Sequence, residues 1–182
     1  GARAIPLLVD QLSAGNATFG RRRAATLLAL EAGLESRAAR LSGELVAQAP
    51  VAEREQLLVE LARRADAAGL HRVALWSYEE MLRGTRDAGS ALAIRTRMAE
   101  LALLAGDTAR AAEVYAQLET AAAAGSPQRR QAMALRLQLT IREGDLARAG
   151  AEFDAMRREF PQAVELDQAG AMLAARYLEL GR

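Results

Sequence analysis

The sequence predicts an all-α protein built from about five helix-turn-helix repeats, and three observations predict it. Ala and Leu supply 43 and 28 of the 182 residues, whereas aromatic residues make up only 4% of the chain. Both residue types favour helices. Two segments, "AGDTARAAEVYAQLE" and "EGDLARAGAEFDAMR", repeat one helix opening, and glycines recur every 36 to 38 residues. A period of this length is typical of stacked helical hairpins.

The recurring glycines set the register of the repeat, because glycine readily adopts the left-handed backbone that closes a helix. These glycines are Gly33, Gly69, Gly106, Gly144 and Gly181. Ala follows each of the first four after five positions, at Ala38, Ala74, Ala111 and Ala149. Nine positions after the same glycines come Ser42, Tyr78, Tyr115 and Phe153, and twelve after come Leu45, Met81, Leu118 and Met156. We expect the aromatic residues of this set to lie in the core of their hairpins.

The first half of the chain is predicted to contain five helices. Asn16-Ala17-Thr18 supplies a capping turn before the second helix, and Gly33 closes it. Pro50 ends the third helix, since proline cannot continue one, and Gly69 closes the fourth. The predicted ranges are 2–13, 18–32, 35–48, 51–68 and 70–84.

Five further helices are predicted in the second half. Asp107 and Asp145 each follow a turn glycine and can cap the free amides of the next helix. Ser126 and Pro127 form another start signal, a cap followed by proline at the first helical position. Pro161 ends the ninth helix. The predicted ranges are 88–105, 107–123, 126–143, 145–159 and 162–180.

This register resembles the tetratricopeptide repeat family over nearly the whole chain. The segment "GDLARAGAEFDAMRREFP" carries the second half of the family pattern, from Gly144 to Pro161. The repeats are longer than the 34 residues of the family, and Thr140 stands where a tyrosine is usual. The resemblance implies a right-handed α-solenoid formed as a single array over residues 1–182. Its approximate repeats are 1–17 (partial), 18–50, 51–86, 88–124, 126–161 and 162–182 (partial).

The first 32 residues also resemble a HEAT-type hairpin. In the tetratricopeptide register, which we favour, Ala4 takes the small position, so the chain begins inside a second helix and ends after a first one. Neither end has the polar cap that repeat arrays need. We therefore expect a segment of a longer protein, with self-association through its uncapped ends at Leu173, Tyr177 and Leu180.

The composition argues against several classes of function. The net charge is +1, from 24 basic and 23 acidic residues, so no strong field attracts nucleic acid. All of the basic residues are Arg, which indicates the codon usage of a GC-rich bacterium. The apolar runs are shorter than the roughly 20 residues of a membrane helix, and we expect no membrane insertion. The absence of Cys excludes disulfides and thiolate metal sites.

No group of residues predicts catalysis. The sequence lacks a phosphate-binding glycine loop, a nucleophile elbow and a zinc-binding His pair, and its one histidine is His71. Arg21-Arg22-Arg23 has no interleaved aromatic residues for stacking on bases, so we interpret it as the charged first turn of a helix. The sequence predicts no catalytic, cofactor-binding or metal-binding residue, and a protein that is not an enzyme.

The resemblance implies that the first helix of each repeat turns certain positions towards an inner groove. Carried over one at a time, these are Arg23, Leu27, Leu30, Gln56, Val59, Arg63, Asp66, Thr96, Glu100, Leu103, Gln131, Gln138, Ile141, Arg142, Gln168, Ala175 and Leu178. Apolar, Arg and Gln side chains together suit an amphipathic helix or an extended segment. We therefore predict a non-catalytic scaffold or adaptor that binds a peptide or helix of a partner protein.

Two other contexts for such an array remain open. It can be the regulatory repeat domain of a signal-transducing ATPase or transcription factor, or a segment of a tetratricopeptide lipoprotein in envelope assembly. A cytoplasmic location is slightly favoured over a periplasmic one. Family members that hold a terminal carboxylate use Lys and Asn, whereas this chain has no Lys and its one Asn, Asn16, lies outside the first helices. That mode of binding is not expected.

Overall fold

The structure, a computed structural model, describes residues 4–179 and 181. The described residues form helices joined by short turns, with no strand among them, which confirms the all-α repeat class. The helices are α1 (Ala4–Ser13), α2 (Phe19–Glu31), α3 (Glu35–Gln48), α4 (Val51–Ala67), α5 (His71–Gly84), α6 (Ala88–Leu104), α7 (Thr108–Ala121), α8 (Pro127–Glu143), α9 (Leu146–Glu159) and α10 (Glu165–Glu179). The chain divides into two compact units, Gly1–Ile94 and Arg95–Arg182, and the division falls within α6.

The five predicted turn glycines all have a positive φ, between 64° and 84°. At the first of these turns, Gly33 donates its N–H to the carbonyl of Leu30 at 3.1 Å, and Leu34 donates to the carbonyl of Ala29 at 2.9 Å. This pair of hydrogen bonds forms the Schellman motif, which satisfies the last free carbonyls of a helix. The same pair of bonds recurs at Gly69 and Gly106. The glycine register is confirmed: each of its first four glycines lies at a corner between two helices, and Gly181 follows the last described helix.

The predicted caps are also in place. Asp107 accepts a hydrogen bond from the amide of Arg110 at 2.9 Å, and Asp145 accepts one from the amide of Arg148 at 3.1 Å. The hydroxyl of Ser126 caps α8 in the same way, with Pro127 at its first position. Each of these side chains satisfies an amide that has no partner within its own helix.

Unit 1 contains α1 to α5 and the beginning of α6. Within it α2 packs on α3 and α4 on α5, while α2 also contacts α4 and α3 contacts α5. First helices therefore stack on first helices and second helices on second. Ala38 and Ala74, the small residues of the register, are fully buried where these helices meet. A methyl side chain lets two helix axes approach closely, which explains the Ala-rich composition.

Unit 2 contains the rest of α6 and the helices α7 to α10. Here α7 packs on α8, α8 on α9, and α10 on both α8 and α9. Leu137, Ala149 and Met156 are fully buried in its core, and Phe153 packs against them while half-buried. Of the aromatic residues at the same register position, Tyr115 is buried and Tyr78 is half-buried.

A network of polar side chains joins α7, α8 and α9 in unit 2, and Thr140 is part of it. Arg136 on α8 pairs with Glu119 on α7 at 2.8 Å and with Glu152 on α9 at 3.3 Å. Buried Thr140 donates its hydroxyl to Glu152 at 2.8 Å. The hydroxyl of Thr140 thus helps to link α8 to Glu152 of α9.

Two features of the fold differ from the sequence-based expectations: the start of the last helix and the burial of Arg22. The last helix begins at Glu165 and not at residue 162, because Ala163 donates its amide to Phe160 and forms a turn after Pro161. Residues 2–3 and Leu180, placed in the first and last predicted helices, lie outside the described residues. Arg22 lies in the first turn of α2, as predicted for the arginine run, but it is buried and paired with Glu44 of α3.

Candidate functional site

The candidate site is a cleft of about 440 Å³ in unit 1, between α2 and α4. Its lining residues are Phe19, Arg23, Glu53, Gln56, Leu57, Val59, Glu60 and Arg63, and we call this set the α2–α4 cleft. Four of the residues carried over from the family groove, Arg23, Gln56, Val59 and Arg63, meet in it. The structure therefore brings together residues of two successive first helices that are at least 33 positions apart in the sequence.

The spacing of residues along α4 explains which of its side chains face the cleft. Positions 53, 56, 60 and 63 recur every three or four residues, so they share one side of a helix with 3.6 residues per turn. On the other side, Leu58, Leu61 and Ala65 are buried. Burial of that apolar side fixes the rotation of α4 about its axis. The polar side is thereby held towards the cleft.

The apolar part of the cleft consists of three side chains. Phe19 begins α2 and is half-buried, and Leu57 is buried against the core. Val59 keeps 47% of its surface exposed. A partner that covers Val59 removes apolar surface from water, which stabilises a complex by about 25 cal/mol per Å².

Ion pairs join the two walls of the cleft. Arg23 on α2 contacts Glu60 on α4 at 2.6 Å, and Arg64 contacts Glu60 at 3.2 Å and Glu31 of α2 at 3.0 Å. Burial alone would raise the pKa of the Glu60 carboxyl, but the hydrogen bonds and positive charges of Arg23 and Arg64 outweigh it and hold the pKa below its ordinary value. Glu60 therefore stays ionised at neutral pH, and its charge is neutralised within the protein.

Two other charged residues of the cleft have no such partner. Glu53, in the first turn of α4, and Arg63, in its last two turns, are both exposed. Neither side chain forms an ion pair or hydrogen bond with the described residues. Their charges are therefore available to a ligand.

The remaining groove residues of unit 1 do not line this cleft. Leu27 on α2 and Asp66 on α4 are half-buried. Leu30 is fully buried, so its expected position in the groove is wrong. It lies one position after Ala29, which is also fully buried, on the side of α2 that packs into the core.

The groove residues of unit 2 are placed on three helices. Most of them are exposed, and Gln138 is half-buried. The exposed ones are Thr96, Glu100 and Leu103 on α6, Gln131 and Arg142 on α8, and Gln168, Ala175 and Leu178 on α10. The expected position of Ile141 in the groove is wrong. Its side chain is buried in the core cluster with Leu137 and Met156, so a partner protein cannot contact it. On α8 it lies four positions after Leu137, which puts both on the core side.

Sequence reasoning missed four residues of the cleft, namely Phe19, Glu53, Leu57 and Glu60. A signal for Glu60 was present, since it follows Arg23 by 37 residues, one repeat length. Opposite charges at nearly equivalent positions of stacked repeats are expected to meet. Glu53 could also have been identified from the sequence, because it lies three residues before Gln56 on the same side of the helix.

No group of three or more His, Cys, Asp or Glu side chains lies close enough to hold a metal ion in the part of the chain that the structure describes. None of the described helices combines the length and the apolar character needed to span a bilayer.

Comparisons with known proteins support the fold. The structure is similar to the crystal structure of a tetratricopeptide repeat protein from Parabacteroides merdae, with a TM-score of 0.55 and 20% sequence identity. The match covers 88% of this chain and 60% of that one, so the chain spans about 60% of the length of the protein that it matches. No family model and no curated protein matches the sequence. The resemblance drawn from the glycine register is confirmed at the level of the fold.

Proposed function

We propose that this chain is a non-catalytic interaction module, a scaffold or adaptor that binds a peptide or helix of a partner protein in the α2–α4 cleft. The observation that carries the proposal is the meeting of exposed Val59 with Gln56 and unpaired Arg63 on one side of α4. Stacked helical repeats generally present such surfaces to other polypeptides. Apolar burial supplies affinity at this site, and the polar groups supply specificity.

The two walls of the cleft are held in place before a ligand arrives. Arg23, Glu60, Arg64 and Glu31 form a continuous chain of ion pairs between α2 and α4. A ligand therefore meets a surface that needs little reordering, which lowers the entropic cost of binding.

A displayed peptide library selected on the immobilised chain supplies ligands for the test. The affinity of the selected peptides is then measured by calorimetry for the wild type and for the variants Val59→Glu and Arg63→Glu. We expect each variant to weaken binding about tenfold, which corresponds to about 1.4 kcal/mol. The melting temperature should stay close to that of the wild type, because both side chains are exposed.

Arg72→Glu is the matched control, since Arg72 is an exposed arginine of α5 that does not line the cleft. Equal affinities for the wild type, Val59→Glu and Arg63→Glu would show that the groove has been assigned to the wrong surface.

A further inference from the structure

The α2–α4 cleft has an electrostatic polarity along α4. Glu53 places an unpaired negative charge at one end, and Arg63 places an unpaired positive charge at the other. Ten residues separate them, which corresponds to about 15 Å along the helix axis at 1.5 Å per residue.

No other net charge lies between these two ends. Arg23 and Glu60 also line the cleft, but they contact each other at 2.6 Å. Arg64, behind Glu60, adds a second positive partner at 3.2 Å and is itself balanced by Glu31 at 3.0 Å. The middle of the cleft therefore presents Gln56 and the apolar Val59 and Leu57.

From this charge distribution we infer that the occupant is an amphipathic α-helix with a basic side chain near Glu53 and an acidic side chain near Arg63. The two charges of this helix are ten residues apart and flank an apolar stripe that covers Val59. The inference rests on the proposed function and specifies the partner's chemistry. Charge complementarity at both ends selects a helix with this charge pattern and also fixes the direction in which the helix lies along the cleft.

A helix fits this cleft better than an extended segment does. An extended peptide leaves its own backbone amides and carbonyls in need of partners. The described part of unit 1 has no strand edge to pair with them, and Gln56 is the one side-chain amide lining the cleft. A helix satisfies its backbone groups internally and needs only side-chain contacts, as in other helix-in-groove complexes.

Three synthetic helical peptides test the inference. They share one apolar stripe and differ only at two positions that are ten residues apart. The first peptide carries Glu at one of these positions and Lys at the other, the second carries Glu at both, and the third carries Lys at both. Each is titrated into the full chain as wild type, Glu53→Lys and Arg63→Glu. We expect the wild type to bind the Glu and Lys peptide about three- to fivefold more tightly than the other two, as exposed ion pairs allow.

The variants should change the order of the peptides. Glu53→Lys makes both ends of the cleft positive and should prefer the Glu and Glu peptide, whereas Arg63→Glu should prefer the Lys and Lys peptide. All of these preferences should shrink in about 1 M salt, where the Debye length falls to about 3 Å. Both native charges also interact favourably with the dipole of α4, so either substitution is expected to lower the stability of the helix slightly. The thermal unfolding of each variant is therefore measured alongside the titrations.

The other outcomes separate this inference from the proposed function. If the peptides bind and Val59→Glu weakens their binding, but the order of their affinities is the same for every variant, the polarity is overturned and the interaction module stands. A proline-containing peptide with its charges four or five residues apart, which spans about 15 Å when extended, overturns the helix if it binds best. Self-association that Arg63→Glu abolishes would show that a second copy occupies the cleft. If neither these peptides nor any library peptide binds, the proposed function itself fails.

Discussion

At the scale of single residues, the backbone of a few glycines determines where the helices end. Gly69 closes α4 with φ of 70°, and a Cβ added there would meet no atom within 4 Å. The requirement for glycine is thus conformational and not steric. Gly43, in the middle of α3, is likewise open around its Cβ position but has ordinary helical backbone.

Substitution by alanine is expected to have opposite effects on stability at these two glycines. Gly69→Ala forces an L-residue into the left-handed region and should destabilise the protein by about 1 kcal/mol. Gly43→Ala should stabilise it by about 0.5–1 kcal/mol, because alanine is the better helix former. Chemical denaturation of both variants measures the difference. Equal effects would mean that the corner does not require glycine.

At the scale of elements, ion pairs join α2 and α4 at the cleft. Glu60 is the centre of this contact, since it receives both Arg23 and Arg64. Its pKa lies below the ordinary value of 4.5 in the folded protein. A group whose pKa is depressed by folding stabilises the folded state above its unfolded pKa, and this stabilisation is lost as the pH falls through the folded value.

This linkage predicts an acid-dependent contribution from Glu60. Glu60→Gln should lower the free energy of unfolding by about 1 kcal/mol at pH 7. The gap between wild type and variant should narrow as the pH falls below about 4.5. Urea denaturation from pH 7 to pH 3 measures this gap. Glu55→Gln, an exposed residue of the same helix, is the control and should show no gap; a Glu60→Gln gap that is constant with pH would contradict the linkage.

At the scale of the whole molecule, apolar side chains remain exposed on the first and last helices. On α1, Leu7 is 62% exposed and Ile5 and Leu8 are also exposed, and on α10, Leu178 is 79% exposed. Leu173 and Tyr177, expected to be uncovered, are half-buried against unit 2, and Leu180 lies outside the described residues. Among the described residues of α10, the large apolar side chain that stays exposed is therefore that of Leu178.

We predict that the chain associates with itself through these faces as its concentration rises. Sedimentation across a wide concentration range measures the association, which Leu7→Glu and Leu178→Glu should weaken. Val51→Glu is the control, because Val51 is 79% exposed but lies on neither helix. A chain that stays monomeric at the highest concentration would rule this association out.

The helices were predictable because their signals are local. The corners at Gly33 and Gly144 and the caps at Asp107 and Ser126 depend on residues a few positions away, and all four lie where the sequence places them. The first residue of α10 was harder to predict, because Pro161 ends one helix but does not determine where the next one begins.

The candidate site was predictable only in part. Arg63 and Val59 were identified from the family register, whereas Ile141, identified in the same way, is buried. A register in the sequence fixes a position along a helix but not the rotation of that helix against its neighbours, which depends on how the whole core packs.

The sequence by itself determined the class of the fold, the repeat length and the residues that turn the chain, because backbone conformation and capping act over a single turn. Only the tertiary structure decided that Arg23 neutralises Glu60 while Glu53 and Arg63 remain unpaired. The physical reason is that a side chain's charge acts on whatever folding brings within a few ångströms of it, and folding brings together residues that lie a whole repeat apart in the chain.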